Sequence, residues 1–414
     1  MRILIYGLNY APEQTGTGKY TGEMAAWLAK AGHDVEVICG LPHYPQWQLD
    51  AAYADGRPRV ELRDGVRVMR APHFVPSADS LTAGKRIRME TGFTFSAARY
   101  WLPRLFARRR PDVVIAAMPP MQIGAWPLLF RWIRRVPWVL HVQDLQVDAA
   151  LRLGMLKIGR FGMVLYWIEG FLLRHATYVS TITEAMRARI IAKGARQQRV
   201  LLLPNWADID AVRPAPRENA FRGSLGANAD DMLVVYAGNM GEKQGLEVVL
   251  EAAAHLRDER RIRFLMIGDG AARHRLEKQA EAADLSNLRF MPVQPLECLP
   301  EMLAAGDIHL VVQKQDAADL VMPSKLTNIL AAGRACVATA EPGSALYEVV
   351  AGNGTGLVAS PGDVAALVRA VRTLADQPEL RRTCGLRARE YAEQHLGRDR
   401  ILAAFEQKLI SLCG

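Results

Sequence analysis

A glycine-rich stretch that contains a lysine, TGTGKYTG, occupies residues 15–22, shortly after the first apolar run of the chain. Glycines let backbone N–H groups approach a ligand, and a helix that starts there presents a positive end to it. A phosphate or a sugar could therefore bind at this point, with Gly16, Gly18 and Lys19 as candidate contacts. The alternative is a flexible turn that binds no ligand.

Two well-known nucleotide-binding patterns fail in this stretch. A P-loop needs a glycine five residues before its second glycine and a hydroxyl residue after its lysine, but these positions hold Glu13 and Tyr20. A dinucleotide fingerprint needs GxGxxG directly after the strand, whereas Gly16, Gly18 and Gly22 are spaced one residue too widely. We therefore expect a looser turn between a strand and a helix.

The second half of the chain contains two more candidate phosphate contacts. Lys243 lies in a glycine-rich turn between a predicted strand and a predicted helix, with a surface lysine as the alternative. The stretch MPSKLTNILAAGRACVAT at 322–339 predicts a short helix with Ser324 as its N-cap. Lys325 adds a positive charge at that helix start, and Asn328 lies one turn further on, within reach of a ribose.

Acidic residues that could take part in proton transfer follow two predicted strands. Asp144 ends the run WVLHVQD, and we expect it to be the main catalytic residue. His141, two residues earlier, is a second catalytic candidate, with a buried core histidine as the alternative. Glu184 after STIT is a third, with a surface helix as the alternative, and Asp148 is weaker still.

The composition is that of a globular protein with reduced thiols. The chain has 414 residues, of which 23% are charged, and this length predicts two domains. Its five cysteines are scattered and form no CxxC pair, which favours a reducing compartment. No signal peptide, membrane span or metal-ligand spacing is recognised, so we expect a cytoplasmic protein without a metal cofactor.

Basic and aromatic side chains alternate in residues 85–110. The stretch carries eight basic residues and one acid, while the whole chain has a formal net charge of +9. This pattern suits an anionic membrane surface, and a solvated helix with an ordinary core face is an equal alternative. Nucleic acid is the weakest interpretation, because no recognised nucleic-acid motif accompanies the stretch.

Hydrophobic periodicity predicts an α/β protein with two doubly wound domains. Short buried runs alternate with amphipathic helices twice, separated by a segment rich in Pro, Ala and Asn. Two such Rossmann-like domains, facing each other, would leave an inter-domain cleft at the carboxyl ends of both sheets. We expect an N-terminal domain at 1–207, a linker at 208–230, a C-terminal domain at 231–395 and a final helical segment at 396–414 that packs back towards the N-terminal domain.

Several segments together resemble the GT-B glycosyltransferases of the fourth sequence family. The resemblance spans essentially the whole chain, and it is strongest to exopolysaccharide enzymes of the colanic-acid fucosyltransferase type. The segments that carry it are NYAPEQTGTGKYTGEM, YPQWQ (44–48), HVQDLQVDA (141–149), GNMGEKQGL, PNW (204–206) and PSKLTNIL.

The chain departs from the wider family at its donor site. The family places an Arg and a Lys after the first strand of the second domain, but here the Arg position is Asn239 and only Lys243 remains. Two family glutamates spaced i, i+8 correspond to Leu320 and Asn328. Lys325 is the expected replacement for the lost charge. The expected donor and diphosphate contacts are Gly16, Gly18, Lys19, Asn239, Lys243, Ser324, Lys325, Thr327 and Asn328.

The resemblance implies transfer of a sugar from a nucleotide diphosphate, with retention of configuration and no essential metal. The implied acceptor is a polyprenyl-diphosphate-linked oligosaccharide, which would place the enzyme peripherally at the inner face of the bacterial inner membrane. L-Fucose from GDP-fucose is the first expectation for the donor. A UDP-N-acetylhexosamine or other hexose donor, a sugar-nucleotide epimerase and a non-catalytic assembly protein stay as alternatives.

Overall fold

The computed structural model divides the chain into two compact units. The first comprises Met1–Pro204 and Asp399–Gly414, and the second comprises Asn205–Arg398. The structure describes residues 1–13, 16–77, 82–148, 160–314 and 323–413, without the side chains of Arg160, Phe161 and Lys243.

The first unit is built on an eight-stranded sheet. Its strand order is β3-β4-β2-β1-β5-β6-β7-β8, and every neighbouring pair is parallel except β3 and β4. The strands are β1 (Arg2–Gly7), β2 (Asp34–Gly40), β3 (Arg59–Arg63), β4 (Val66–Ala71), β5 (Val113–Met118), β6 (Trp138–Val142), β7 (Tyr178–Thr181) and β8 (Val200–Leu202). Its helices are α1 (Gly16–Lys30), α2 (Ala83–Ser96), α3 (Ala98–Phe106), α4 (Ala125–Arg134), α5 (Arg160–His175) and α6 (Glu184–Ala192).

The second unit is built on a six-stranded parallel sheet. Its order is β11-β10-β9-β12-β13-β14, which is the 3-2-1-4-5-6 order of a Rossmann domain. The strands are β9 (Met232–Ala237), β10 (Ile262–Ile267), β11 (Leu288–Met291), β12 (Ile308–Val311), β13 (Ala335–Thr339) and β14 (Gly356–Ala359). The helices are α7 (Ala220–Ser224), α8 (Glu247–His255), α9 (Arg273–Ala282), α10 (Leu299–Ala305), α11 (Ser324–Ala331), α12 (Ala345–Tyr347), α13 (Val364–Asp376) and α14 (Pro378–His395).

Continuous apolar runs explain why both sheets form. The strand β5, for example, is buried along its whole length, as expected for a parallel strand covered by helices on both faces. The α/β prediction with two Rossmann-like sheets is therefore confirmed. The periodicity did not reveal two edge strands: β3, which pairs with β4 through the Asp64–Gly65 turn, and the four-residue strand β14.

The last helix, α15 (Arg398–Cys413), is counted with the first unit from Asp399 onward. His33 lies 2.7 Å from the Glu406 carboxylate, and the indole N–H of Trp27 donates to Asp399 at 3.1 Å. The segment 208–230, which the sequence assigns to a linker, lies within the second unit. There it contains α7 and the buried Arg222, which pairs with Asp307 at 3.0 Å.

Helix α1 begins earlier than the sequence predicts. We expected a glycine-rich turn up to residue 22 and a helix over 20–33, but the helix starts at Gly16. A Cβ on Gly18 would lie 2.7 Å from Glu13 Oε2, and one on Gly22 would lie 3.1 Å from Ala11 Cβ. These glycines let the segment after β1 pack against α1, so tertiary packing outweighs the weak helix propensity of glycine.

Candidate functional site

The second unit has its topological switch point between β9 and β12. Chain connections leave these two neighbouring strands in opposite directions, and ligands of open α/β sheets bind at the carboxyl ends of such strands. Gly238 follows β9 there with φ of +145°, a conformation that favours glycine. The candidate donor residues of this unit follow β9 or lie in α11.

Lys325 in α11 is the most unusual cation of this edge. Its Nζ lies 3.6 Å from the centre of the Tyr236 ring, and a Cβ on Gly238 would lie 3.4 Å from the same Nζ. The ammonium is buried and has no hydrogen-bond partner within the described residues. Burial lowers the pKa of Lys325 to about 7. Among the described residues a cation–π contact alone compensates this buried charge, and an anionic ligand would complete the compensation.

The start of α11 differs from the sequence prediction. Pro323, not Ser324, is the N-cap, and Ser324 is already helical and forms no side-chain cap. The hydroxyl of buried Thr327 donates to the Ser324 carbonyl at 2.8 Å, which turns it towards its own helix. Asn328 is half-buried. The N-terminal N–H groups of α11 therefore receive no cap from the Ser324 hydroxyl.

The turn after β9 places Asn239 against the next glycine-rich turn. The Tyr236 hydroxyl donates to the Asn239 carbonyl at 2.6 Å, and a Cβ on Gly270 would lie 2.6 Å from Asn239 Oδ1. The same tyrosine thus orders this turn and lies under the Lys325 ammonium. The side chain of Lys243 and the position of Leu320 lie outside the described residues.

In the first unit, a buried carboxylate occupies the region where we expected an anion to bind. Glu13 Oε1 accepts hydrogen bonds from the backbone N–H groups of His43 and Tyr44, both at 3.0 Å. Its other oxygen accepts from Asn9 at 2.9 Å and lies against Gly18. A carboxylate beside the first turn of α1 compensates the positive helix end, which disfavours a second anion there. Gly18 is itself buried against this carboxylate, so of these two glycines only Gly16 is partly exposed.

Lys19 lies in the first turn of α1 and is half-buried. Its Nζ is 3.9 Å from Glu23 Oε1 and 5.2 Å from the centre of the Tyr20 ring. The pairing with Glu23 is long and between partly exposed groups, so it restrains Lys19 only weakly.

His141 lies inside the first unit, on β6. Its Nδ1 is 3.0 Å from the Ser180 hydroxyl, and its Nε2 is 3.1 Å from the Gln143 amide nitrogen. Burial lowers its pKa to about 4, so the ring is neutral at physiological pH. With both ring nitrogens engaged, this environment favours the core-histidine interpretation over a catalytic one.

Asp144 follows β6 in a loop that is anchored by the side chains of two later residues. Asp144 itself is half-buried. Gln146 accepts from the Met121 backbone N–H at 3.2 Å and donates to Glu90 at 3.1 Å. Asp148 lies 2.6 Å from the Lys193 ammonium. The loop at the carboxyl end of β6 therefore has fixed anchors two and four residues beyond Asp144.

Lys193 connects this loop to helix α5. Besides Asp148, it pairs with Glu169, whose side chain is fully buried. Burial raises the pKa of Glu169 even beside the lysine. The cluster is a compensated ionic group whose two carboxylates depend on one cation.

We expect Lys193→Met to destabilise the first unit by about 3–5 kcal/mol at neutral pH, because it leaves two carboxylates without their cation. The loss should shrink at pH 5, where Glu169 can take up a proton. Denaturant unfolding followed by circular dichroism at both pH values measures this. The control is Lys278→Met, since Lys278 is exposed on α9. The double variant with Glu169→Gln should recover part of the loss; equal midpoints for the Lys193 and Lys278 variants would contradict the prediction.

Glu184 is the first residue of α6 and is exposed. Its carboxylate pairs with Arg187 on the same helix at 3.1 Å, and Thr183 caps the helix start. This placement matches the surface-helix alternative rather than a catalytic acid. Among the three catalytic candidates, Asp144 has the environment best suited to the role.

The basic–aromatic stretch 85–110 splits into a core side and an exposed side. Phe93 and Trp101 are fully buried, and the Trp101 ring stacks on Trp126 at 6.3 Å. Phe95 and Phe106 are 74% and 85% exposed. The buried side agrees with the core-face interpretation, and the other side leaves aromatic rings exposed.

No described helix is long and apolar enough to cross a membrane.

Comparison with known proteins identifies the family. Residues 15–206 match the model of the glycosyl transferase 4-like domain, and residues 217–391 match that of glycosyl transferases group 1. The chain is 40% identical over 412 residues to WcaI of Escherichia coli (strain K12), named as a colanic acid biosynthesis glycosyl transferase, with 98% of each chain covered. It is 28% identical over 270 residues to WbjE of Pseudomonas aeruginosa, named as a glycosyltransferase, covering 65% of this chain and 67% of WbjE.

Solved structures share the fold at low identity. Sucrose-phosphate synthase from Thermosynechococcus elongatus superposes with a TM-score of 0.79 at 18% identity, covering 100% of this chain and 99% of that one. HepE of Anabaena, solved with UDP and glucose, gives 0.73 at 15% identity, covering 99% and 100%.

Proposed function

Because the chain belongs to the glycosyltransferases with the GT-B fold, we propose that it transfers a sugar from a nucleotide diphosphate to a lipid-linked oligosaccharide in exopolysaccharide biosynthesis. L-Fucose from GDP-fucose is the first candidate donor, and retention of configuration the proposed outcome. The 40% identity to a relative named for colanic acid biosynthesis supports the pathway class.

The buried Lys325 ammonium is the observation that carries this proposal. Departure of a nucleoside diphosphate concentrates negative charge on its phosphates, and a desolvated cation stabilises that charge strongly. Lys325 lies at the switch point of the second sheet, in the first turn of α11, whose N–H groups add to the positive potential. We therefore propose that Lys325, with Lys243 as a second contact, supplies the counter-charge without a metal cofactor.

On the acceptor side, we assign Asp144 to the hydroxyl that attacks the sugar. That hydroxyl loses its proton as the new glycosidic bond forms, and a carboxylate can accept its hydrogen bond and orient it. A hydrogen bond of Gln146 and an ion pair of Asp148 hold the loop that carries Asp144.

A ligand screen tests the donor assignment directly. The protein is heated with GDP, UDP, GDP-fucose and a set of UDP-sugars, and its unfolding temperature is recorded with each. A ligand at 100 times its Kd stabilises by about 2.7 kcal/mol, which such a screen resolves. UDP-sugars belong in the screen because the Anabaena neighbour was solved with UDP. Absence of stabilisation by every nucleotide would contradict the proposal.

Product analysis then separates the remaining activities. Incubation of the stabilising nucleotide-sugar with extracted membrane lipids should move labelled sugar into the lipid fraction. An epimerase would convert the donor without any acceptor, and a non-catalytic assembly protein would leave it unchanged.

We further propose that the exposed side of α3 and the following arginines contact an anionic membrane. Arg108 and Arg109 are exposed beside Phe106, whereas Arg110 donates to the Arg134 carbonyl at 2.7 Å and belongs to the fold. Basic residues interleaved with exposed aromatic rings suit the interface of an anionic bilayer.

We expect Arg108→Gln with Arg109→Gln to weaken binding to phosphatidylglycerol-containing vesicles roughly 30-fold, at about 1 kcal/mol for each arginine. Co-sedimentation at low salt measures the change. The pair Arg260→Gln with Arg369→Gln, exposed on the second unit, is the matched control. Equal sedimentation of both double variants would argue against this surface.

A further inference from the structure

The loop after β2 holds a tryptophan in a backbone conformation that this residue rarely adopts. Trp47 has φ of +55°, in the left-handed region, and its side chain is half-buried. Such a conformation costs on the order of 1–3 kcal/mol and persists only where the surroundings enforce it. Residues held in this way are concentrated at binding and catalytic sites.

Glu13 is the group that fixes this loop. Its carboxylate binds the N–H groups of His43 and Tyr44, and the N–H of Gln48 donates to the His43 carbonyl at 3.3 Å to close the turn. Glu13 comes from the segment after β1, so its hydrogen bonds join the loops that follow two adjacent strands. Trp47 lies within the turn that the Gln48–His43 hydrogen bond closes.

Aromatic rings surround Trp47. The ring centres of His43 and Tyr44 lie 6.0 and 6.1 Å from it, in edge-to-face geometry. Behind them, His73 contacts His43 at 4.9 Å, and burial lowers the pKa of His73 to about 3, so that ring is uncharged. The rings of Trp47, Tyr44, His43 and His73 thus form a continuous surface, which we call the aromatic wall.

This wall reaches the start of α1. A Cβ on Gly16 would lie 3.5 Å from the Tyr44 ring, so the half-buried Tyr44 borders the glycine-rich end of that helix. The wall therefore lies at the carboxyl edge of the first sheet, where ligands of such sheets bind. The nearby Glu13 carboxylate disfavours a phosphate at this position.

We propose that Trp47 and Tyr44 form a subsite for a pyranose ring of the acceptor saccharide. The C–H groups on one face of a pyranose carry partial positive charge and pack on the negative face of an aromatic ring. A rigid, half-buried tryptophan provides such a face at little entropic cost. A nucleobase could also stack there, but its diphosphate would meet the buried carboxylate. The subsite rests on the proposed transferase function and names which residues hold its acceptor.

Saturation-transfer NMR with methyl pyranosides of fucose, glucose and galactose as probes tests the subsite without requiring turnover. Wild-type protein should transfer saturation to ring protons of at least one glycoside, and Trp47→Gly should abolish this transfer. Glycine suits the left-handed backbone, so the variant is expected to stay folded. Trp47→Phe, which keeps an aromatic ring, should retain part of the signal. The control is Trp132→Ala, which removes a tryptophan that is 60% exposed on α4.

Equal saturation transfer in wild type and Trp47→Gly would overturn the subsite. The subsite would also be overturned if Trp47→Gly abolished saturation transfer to GDP or UDP but not to the glycosides. In turnover assays, Trp47→Phe should raise the acceptor KM and leave the donor KM unchanged. Saccharide binding through Trp47 in a protein that transfers no sugar would instead refute the transferase function alone.

Discussion

Replacing Lys325 with methionine is expected to lower turnover by about 100- to 1,000-fold, the usual cost of removing one preorganised group that stabilises transition-state charge. Methionine fills a similar volume in the place of the lysine stem, so the Tyr236 ring keeps a packing partner. The loss should appear mainly in kcat, because leaving-group charge is greatest in the transition state. Steady-state kinetics with the donor found in the screen measures it.

The same substitution should have the opposite effect on stability. Because burial lowers the pKa of Lys325 to about 7, the unfolded chain holds a proton at this residue that the folded protein lacks between pH 7 and its ordinary value of 10.5. Wild-type stability therefore rises with pH across that window relative to Lys325→Met, and the variant should be the more stable protein at pH 7. If Lys325 had a purely structural role, Lys325→Met would instead be the less stable protein at pH 7.

Nucleotide affinity gives a third signature. Above pH 7 the free protein holds Lys325 neutral, so binding of an anionic donor should take up a proton and weaken as pH rises. In Lys325→Met the nucleotide affinity should lack the part of its pH dependence that comes from this proton uptake. Comparing the two proteins also cancels the titration of the nucleotide itself, which affects both equally. Lys278→Met is the surface control. Unchanged turnover in Lys325→Met would exclude Lys325 from the donor site.

The sheets could be predicted from the sequence because their strands are short continuous apolar runs. The run RILIYG, for instance, became β1 with the expected bounds. The stretch TGTGKYTG could not be interpreted correctly from the sequence. Its glycines are needed because Glu13 and Ala11 pack closely against α1, and this contact exists only in the folded chain. The local sequence pattern predicted a turn at this stretch, whereas tertiary packing stabilises a helix there.

The candidate site was predictable in part for the same reason. The positive charge of Lys325 is visible in PSKLTNIL, but its burial over Tyr236 depends on β9, nearly ninety residues earlier. Glu13 appeared only as the residue that breaks a P-loop, and its hydrogen bonds to the loop after β2 have no local signal. For His141 the strand position in the sequence allowed either a catalytic or a core role, and its burial in the structure favours the core role.

Replacing Asp144 with asparagine is the second change with a large expected effect. The side chain keeps its shape but loses its charge and its ability to take a proton, so we expect turnover to fall by about 10²- to 10⁴-fold. Donor binding in the thermal screen should stay unchanged, because Lys325 and Lys243, the proposed counter-charges of the diphosphate, belong to the second unit. The loop should also keep its position, since Gln146 and Asp148 anchor it two and four residues further along the chain.

The comparison with Glu184→Gln makes this prediction specific. Glu184 is exposed and paired with Arg187, so its replacement should change turnover little. If Asp144 acts on the acceptor hydroxyl, Asp144→Asn should lower kcat without lowering the denaturant midpoint of unfolding, whereas a defect in loop packing would lower both. A larger loss of turnover in Glu184→Gln than in Asp144→Asn would indicate that Glu184, not Asp144, is the catalytic residue. Equal, near-wild-type rates in both variants would place the acceptor-side group elsewhere at the carboxyl edge of this sheet.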